Sequence, residues 1–151
     1  MLSALYALTT HFADAVDFTN ANDIGVIAIN SACKISALFD EEVDIPEIAR
    51  TAMLKGADIL LCYDDGTDPW RIKMMKTRAA ENKIFVVRSS SSREEDCSIL
   101  FNPDGGQICT TLKAIEHAAA GYINTALSKF KYIVPGTHVV NGRIPSFYDE
   151  P

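Results

Sequence analysis

The chain has 151 residues, of which 48% are hydrophobic and 23% are charged. This composition is typical of one soluble globular domain with a substantial core, and it excludes a disordered tail. The net charge of −6 argues against a nucleic-acid partner, because phosphate binding requires clustered Lys and Arg side chains. No apolar run is long enough to span a bilayer, so we expect a cytoplasmic protein without a membrane partner.

The four cysteines show neither the pattern of a metal site nor that of a disulfide framework. They are Cys33, Cys62, Cys97 and Cys109, without a C-x-x-C pair or a regular spacing. We therefore expect reduced thiols and no structural zinc. No cofactor is expected.

The first part of the chain predicts a helix and two strands. Apolar residues recur at helical spacing over residues 2–16, which predicts a short amphipathic helix. The segments "DIGVIAIN" at 23–30 and "CKISALF" at 33–39 are rich in strand-forming residues. Each of these two segments predicts a strand.

An acidic segment, "DEEVDIPEIAR" at 40–50, follows the second strand. Asp44 and Glu47 have the spacing of a capping box, and Gly56 is a suitable left-handed stop. The sequence therefore predicts a helix over 45–55 that Asp44 caps.

The acidic segment also raises the question of a metal site. Oxygen-rich groups such as Asp40, Glu41 and Glu42 suit calcium or magnesium. However, the segment lacks a recognised ligand spacing such as that of the EF-hand loop. We therefore favour helix capping over metal binding.

Strands and helices alternate through the rest of the chain. Asp68 and Pro69 mark the start of a second helix, and the turn Asn-Pro-Asp-Gly at 102–105 predicts a hairpin. The predicted elements are a strand at 57–63, a helix ending at Asn82, a strand at 83–88, a hairpin over 97–112, and a short strand at 121–125 followed by a turn of helix. This order predicts an α/β layer with helices on one face of a sheet.

The expected organisation is one partial domain. Residues 1–19 would form its N-terminal helix, residues 20–132 its sheet and helices, and residues 133–151 an extended tail. The tail contains two Pro-containing turns and no hydrophobic period.

Several motifs carry a resemblance to a known family. They are "EVDIPEIARTAMLKGADILL" at 42–61, Trp70, "RAAEN" at 78–82, "FVV" at 85–87, "SILFNPDGG" at 98–106 and "KYIVPGTHVVNGRIPSFY" at 131–148. In order and spacing they resemble the second half of a nitrilase, or carbon–nitrogen hydrolase, domain. The resemblance implies one half of an α-β-β-α sandwich. It also implies a Glu, Lys and Cys triad whose cysteine attacks a nitrile or amide carbon.

Two departures from the family pattern bear on activity. The family nucleophile lies six positions before the Pro of the "PE" pair, and counting back from Pro46 gives Asp40. A carboxylate that attacked an amide or nitrile would form a strained, unstable adduct, whereas a thiolate forms a usable one. The second departure is length, because the family's Glu and Lys belong to a first half that we expect this chain to lack.

Cys62 is the alternative nucleophile. It ends a predicted strand whose carboxyl end should lie beside the position of Asp40. Against this role, a free cysteine usually behaves as a small buried hydrophobe, and no His lies near Cys62 in sequence to activate it. We favour the buried thiol.

Two classes of function therefore remain. The first is an inactive member of the family that acts as a binding or structural module, which we favour. The second is a hydrolase of amide or nitrile C–N bonds that a partner chain completes, with Cys62 as nucleophile. The partner would be a second copy or a chain with the N-terminal half, because strands that are apolar on both faces need cover. The resemblance implies a small amide- or nitrile-like ligand.

Overall fold

A computed structural model describes residues 23–64, 68–90, 98–111 and 118–147. The strands are β1 (Ile27–Asn30), β2 (Cys33–Phe39), β3 (Ile59–Asp64), β4 (Phe85–Ser90), β5 (Ile99–Phe101), β6 (Gln107–Thr110), β7 (Tyr132–Val134) and β8 (Thr137–His138). The α-helices are α1 (Pro46–Leu54), α2 (Pro69–Asn82) and α3 (Ala126–Lys129), and 3-10 turns lie at Asp40–Asp44 and Pro145–Phe147. The helix predicted over 2–16 lies outside the described residues.

Strands β1 to β6 form one sheet in chain order. The central strands β2, β3 and β4 are parallel, while β1, β5 and β6 run antiparallel to their neighbours. Parallel strands are usually covered on both faces, which agrees with the continuous apolar runs of β3 and β4. No helix in the described part of the chain is long and apolar enough to cross a bilayer.

Successive residues of the strands alternate between two apolar clusters. Leu60, Cys62 and Val86 lie in the cluster that also contains buried residues of α1 and α2. Ile59, Leu61 and Phe85 belong to the cluster on the opposite face. This period of two is the expected geometry of strands, and it confirms the predicted α/β layer with helices on one face.

The prediction that Asp44 caps the first long helix is wrong. Helix α1 begins at Pro46 after Ile45, and no side chain caps it. Residues 40–44, which precede the helix, form the 3-10 turn instead. Within it the carboxylate of Glu42 accepts a hydrogen bond from the backbone N–H of Phe39 at 2.8 Å. Proline at the first helical position has no N–H, so α1 starts with one donor fewer to satisfy.

Three local predictions are confirmed. The carboxylate of Asp68 accepts the N–H of Trp70 at 2.8 Å and caps α2. In the hairpin turn, the side-chain oxygen of Asn102 accepts two backbone N–H groups, and Gly105 takes the left-handed conformation with φ of 80°. Gly56, with φ of 96°, follows α1 as predicted.

The C-terminal part differs from the prediction in two places. Residues 121–125 form no strand, and Gly121 passes so close to the sheet that a Cβ there would lie 2.8 Å from Leu100. The segment from 133 onwards, expected to be extended, contributes to a small hairpin of β7 and β8. Within it the Tyr132 and His138 rings pack edge to face at 4.7 Å.

Strand β1 also begins later than predicted, at Ile27.

A group of polar contacts attaches the C-terminal segment to the sheet. Asp58, which is buried just before β3, accepts hydrogen bonds from Ser128 Oγ at 2.5 Å and from the ammonium of Lys129. Lys131 Nζ donates to the carbonyls of Asn82 and Lys83, both at 2.9 Å. Together, the contacts of Asp58 with Ser128 and Lys129 and those of Lys131 with Asn82 and Lys83 are called the Asp58–Lys131 clamp.

Candidate functional site

Asp40 directly follows β2 and is the first residue of the 3-10 turn Asp40–Asp44, here called the elbow. Its φ is 44°, which places a non-glycine residue in the left-handed region. Such a conformation carries a steric cost of about 1–2 kcal/mol, less for Asp than for most residues. The elbow lies at the carboxyl end of a parallel strand, where α/β proteins commonly bind ligands.

Three carboxylates at the elbow surround one guanidinium. Arg71, near the start of α2, lies 3.7 Å from Asp40 Oδ1, 3.5 Å from Glu41 Oε1 and 3.7 Å from Asp44 Oδ2. These separations are ion-pair distances and are too long for good hydrogen bonds. Arg71 is itself buried, so the charge that these carboxylates face lies beneath the surface of the elbow.

This arrangement bears on the two hypotheses for the acidic segment. Asp44, the predicted helix cap, faces Arg71 instead, and its own backbone carbonyl accepts a hydrogen bond from Arg78. No group of three His, Cys, Asp or Glu residues that could hold a metal ion occurs within 23–64, 68–90, 98–111 or 118–147. The positive charge next to Asp40 and Glu41 is supplied by an arginine of the same chain.

Arg78 fixes the elbow onto α2. It is buried, its Nε donates to the carbonyl of Val43 at 2.9 Å, and its Nη2 donates to the carbonyl of Asp44 at 2.8 Å. Its Nη1 pairs with Glu81 at 2.8 Å, three residues further along the helix. The last residues of the 3-10 turn are therefore held by one side chain of α2.

Cys62 lies in the core and not in an open cleft. Cys62 is 1% exposed and belongs to the apolar cluster beneath α1 and α2. Burial strongly raises the pKa of its thiol, and the charges of Asp64 and Glu42 raise it further. A thiolate is therefore scarce at neutral pH, and the thiol resembles an inert structural cysteine more than a nucleophile.

A buried ion pair that was not predicted from the sequence lies close to Cys62. Arg88 Nε and Nη2 donate to the two carboxylate oxygens of Asp64 at 2.7 and 2.8 Å, with the side chains 0% and 1% exposed. The residues lie on β4 and β3, two neighbouring parallel strands. Asp64 and Arg88 are each a charged residue close to the end of an apolar run. This common position is the feature of the sequence from which the ion pair could have been predicted.

Comparison with known proteins gives a family match and a set of similar structures. The family model described as carbon-nitrogen hydrolase matches residues 9–113. Nit3 of Saccharomyces cerevisiae, a member of branch 10 of the nitrilase superfamily, has a TM-score of 0.64 at 19% identity, over 83% of this chain and 50% of that one. An amidase from Nesterenkonia sp. has a TM-score of 0.56 at 20% identity, over 68% of this chain and 41% of that one.

The structural match is therefore to part of a larger fold. A mutant of the Nesterenkonia AN1 amidase, described as a member of the nitrilase superfamily, covers 68% of this chain and 42% of its own length at 21% identity, with a TM-score of 0.55. The chain spans half or less of these solved structures. No curated protein sequence matches it significantly.

Proposed function

Because this chain belongs to the carbon–nitrogen hydrolase family, we propose that it is a catalytically inactive member that serves as a binding or structural module. The observation that carries the proposal is the elbow. An aspartate occupies the position where the family resemblance places the nucleophilic cysteine, and its carboxylate lies 3.7 Å from the guanidinium of Arg71.

The chemistry of a carboxylate at this position supports inactivity. Attack of Asp40 on a primary amide would break the C–N bond, release ammonia and leave a mixed carboxylic anhydride. This anhydride lies much further above the amide in free energy than the thioester that a thiolate would form, and a carboxylate is also the weaker nucleophile. The ion pair with Arg71 further lowers the reactivity of the carboxylate, because attack would remove its negative charge from the guanidinium.

Cys62 gives no support to the alternative in which another chain completes an active hydrolase. Its thiol is buried in the core, and its raised pKa disfavours the thiolate. A substrate could reach the sulfur atom only after the packing between the sheet and the helices had opened. The module function needs no such opening.

The partial match to solved structures supports the association part of the proposal. The chain spans half or less of the solved structures to which it is similar. A module of this kind would associate with a second copy or with a chain that carries the other half of such a fold. The amide- or nitrile-like ligand implied by the resemblance would then bind without being cleaved.

Ammonia release tests the proposal. Purified protein is incubated with a panel of amides and nitriles that includes butyramide, an amide found in complex with a mutant of the similar Nesterenkonia amidase. We expect no release above the rate without protein, for both the wild type and Cys62→Ala. Release by the wild type that Cys62→Ala abolishes would overturn the proposal and assign the nucleophile to Cys62. Release by both proteins would also overturn it.

A further inference from the structure

Strand β1 is an open edge of the six-stranded sheet. It pairs with β2 on one side, and no strand within the described ranges pairs with its other side. All four of its residues are exposed, including Ile27 at 47% and Ile29 at 50%. Since neighbouring residues of a strand point to opposite faces, β1 exposes side chains on both faces of the sheet.

The sequence of this edge lacks the features that normally prevent pairing. Exposed edges are usually protected by charged side chains, proline or a covering segment. The seven residues "IGVIAIN" at 24–30 contain no charge and no proline. The opposite edge differs, because a Cβ at Gly121 would lie 3.2 Å from both Ile108 and Cys109 on β6. The segment around Gly121 thus packs against β6, whereas no segment among the described residues covers β1 in a comparable way.

The edge strand is also fixed in place by the rest of the protein. Just before β1, Ile24 and Val26 pack against the core beneath the helices. The carbonyl of Gly25 accepts a hydrogen bond from Ser36 Oγ at 2.7 Å. The edge is therefore presented in a defined position, which reduces the entropy lost when a partner strand binds.

We propose that β1 pairs antiparallel with β1 of a second copy across a two-fold axis, so that the two sheets become one continuous sheet. An edge that pairs with itself in this way forms an isologous interface and closes after two copies. The inference names the partner of the proposed module and rests on that proposal.

The charge distribution makes this edge the place where two copies repel each other least. Each copy carries a net charge of −6, so two copies approach most easily where no like charges meet. The nearest carboxylate, Asp23, precedes the uncharged segment and already pairs with Lys55. In the antiparallel arrangement the two Asp23 residues precede opposite ends of a strand pair about 14 Å long, which exceeds the screening length of about 8 Å at physiological salt.

Sedimentation equilibrium of the full chain, over low to high micromolar concentrations, tests the inference. We expect wild-type protein at twice the chain mass of 16.5 kDa. We expect Ile27→Lys and Ile29→Lys to weaken the dimer by about tenfold or more, because a lysine on the edge opposes strand pairing. Ile133→Lys, which changes an equally exposed isoleucine of β7, is the matched control and should leave the dimer unchanged.

Each contrary outcome overturns the inference. A wild-type monomer at all concentrations would do so, as would a dimer that both β1 variants preserve or that Ile133→Lys dissociates. Hydrogen exchange on the wild type gives a second measurement that does not depend on the folding of variants. The amides of β1 should become more protected as protein concentration rises, and unchanged protection contradicts the pairing. Neither measurement depends on catalysis, so the ammonia assay separates a failure of this inference from a failure of the proposed function.

Discussion

The sheet with its two long helices and the C-terminal segment at 118–147 are stabilised in different ways. In the first region apolar side chains fill both faces of the central strands, and a buried ion pair joins β3 to β4. In the second region most large apolar side chains are exposed, and polar contacts provide much of the attachment. The exposed side chains are Tyr122, Leu127, Phe130, Tyr132, Ile133, Val134, Ile144 and Phe147. The sheet and its two long helices, here called the body, are therefore stabilised by the burial of apolar side chains. The C-terminal segment is held to the body by the Asp58–Lys131 clamp.

The largest expected effect tests the body. Asp64→Ala leaves Arg88 charged and buried, and we expect it to lower the free energy of unfolding by about 3–5 kcal/mol. Urea denaturation followed by circular dichroism measures this loss. Replacement of both partners by apolar residues, Asp64→Leu with Arg88→Met, should restore most of the stability, because both buried charges are then removed. Asp104→Ala, which breaks the ion pair of an exposed carboxylate with Lys83, is the control and should cost less than about 1 kcal/mol.

A smaller effect should separate the two regions. Asp58→Ala removes the acceptor for Ser128, Lys129 and the backbone N–H of Lys34, and we expect a loss of about 2–3 kcal/mol. Hydrogen exchange should show the greatest loss of protection in residues 126–131, while β3 and β4 remain protected. Equal loss of protection in all of these elements would contradict the view that the clamp serves the C-terminal segment. Asp23→Ala, at an exposed ion pair with Lys55, is the control.

The smallest expected effect is a dependence on pH, because Lys131 is only partly buried and solvent screening reduces the part of its pKa shift that becomes stability. Burial lowers the pKa of Lys131 to about 8 from its ordinary value of 10.5. Between these two values the unfolded chain binds a proton that the folded chain has lost, so the contribution of Lys131 to stability rises with pH. We expect the urea midpoint of the wild type to rise relative to the midpoint of Lys131→Met as the pH increases from 8 to 10.5. A constant difference between the two midpoints across this range would show that Lys131 does not titrate there.

The successful predictions from sequence concern local signals. The cap at Asp68 and the turn at Asn102 each depend on a side chain that bonds backbone only a few residues away. The apolar pattern of 33–39 likewise gave the exact bounds of β2, since burial on a sheet imposes that pattern. The family resemblance was confirmed by the carbon-nitrogen hydrolase family model, which matches residues 9–113.

The failures concern contacts between distant residues. Asp44 had the local spacing of a helix cap, but Arg71 from the next helix attracts its carboxylate. The ion pair of Arg88 with Asp64 needs two strands in register, which spacing along the chain does not specify. Residues 121–125 have an apolar core suited to a strand, yet Gly121 lies so close to Leu100 that this segment packs on the sheet without joining it.

The left-handed backbone of Asp40 bears on how this sequence can drift. Glycine would adopt the same φ without a steric penalty, and asparagine would do so at little cost. Either replacement leaves Arg71 facing the carboxylates of Glu41 and Asp44. The residue at the apex of this turn can therefore change without a change in the backbone conformation.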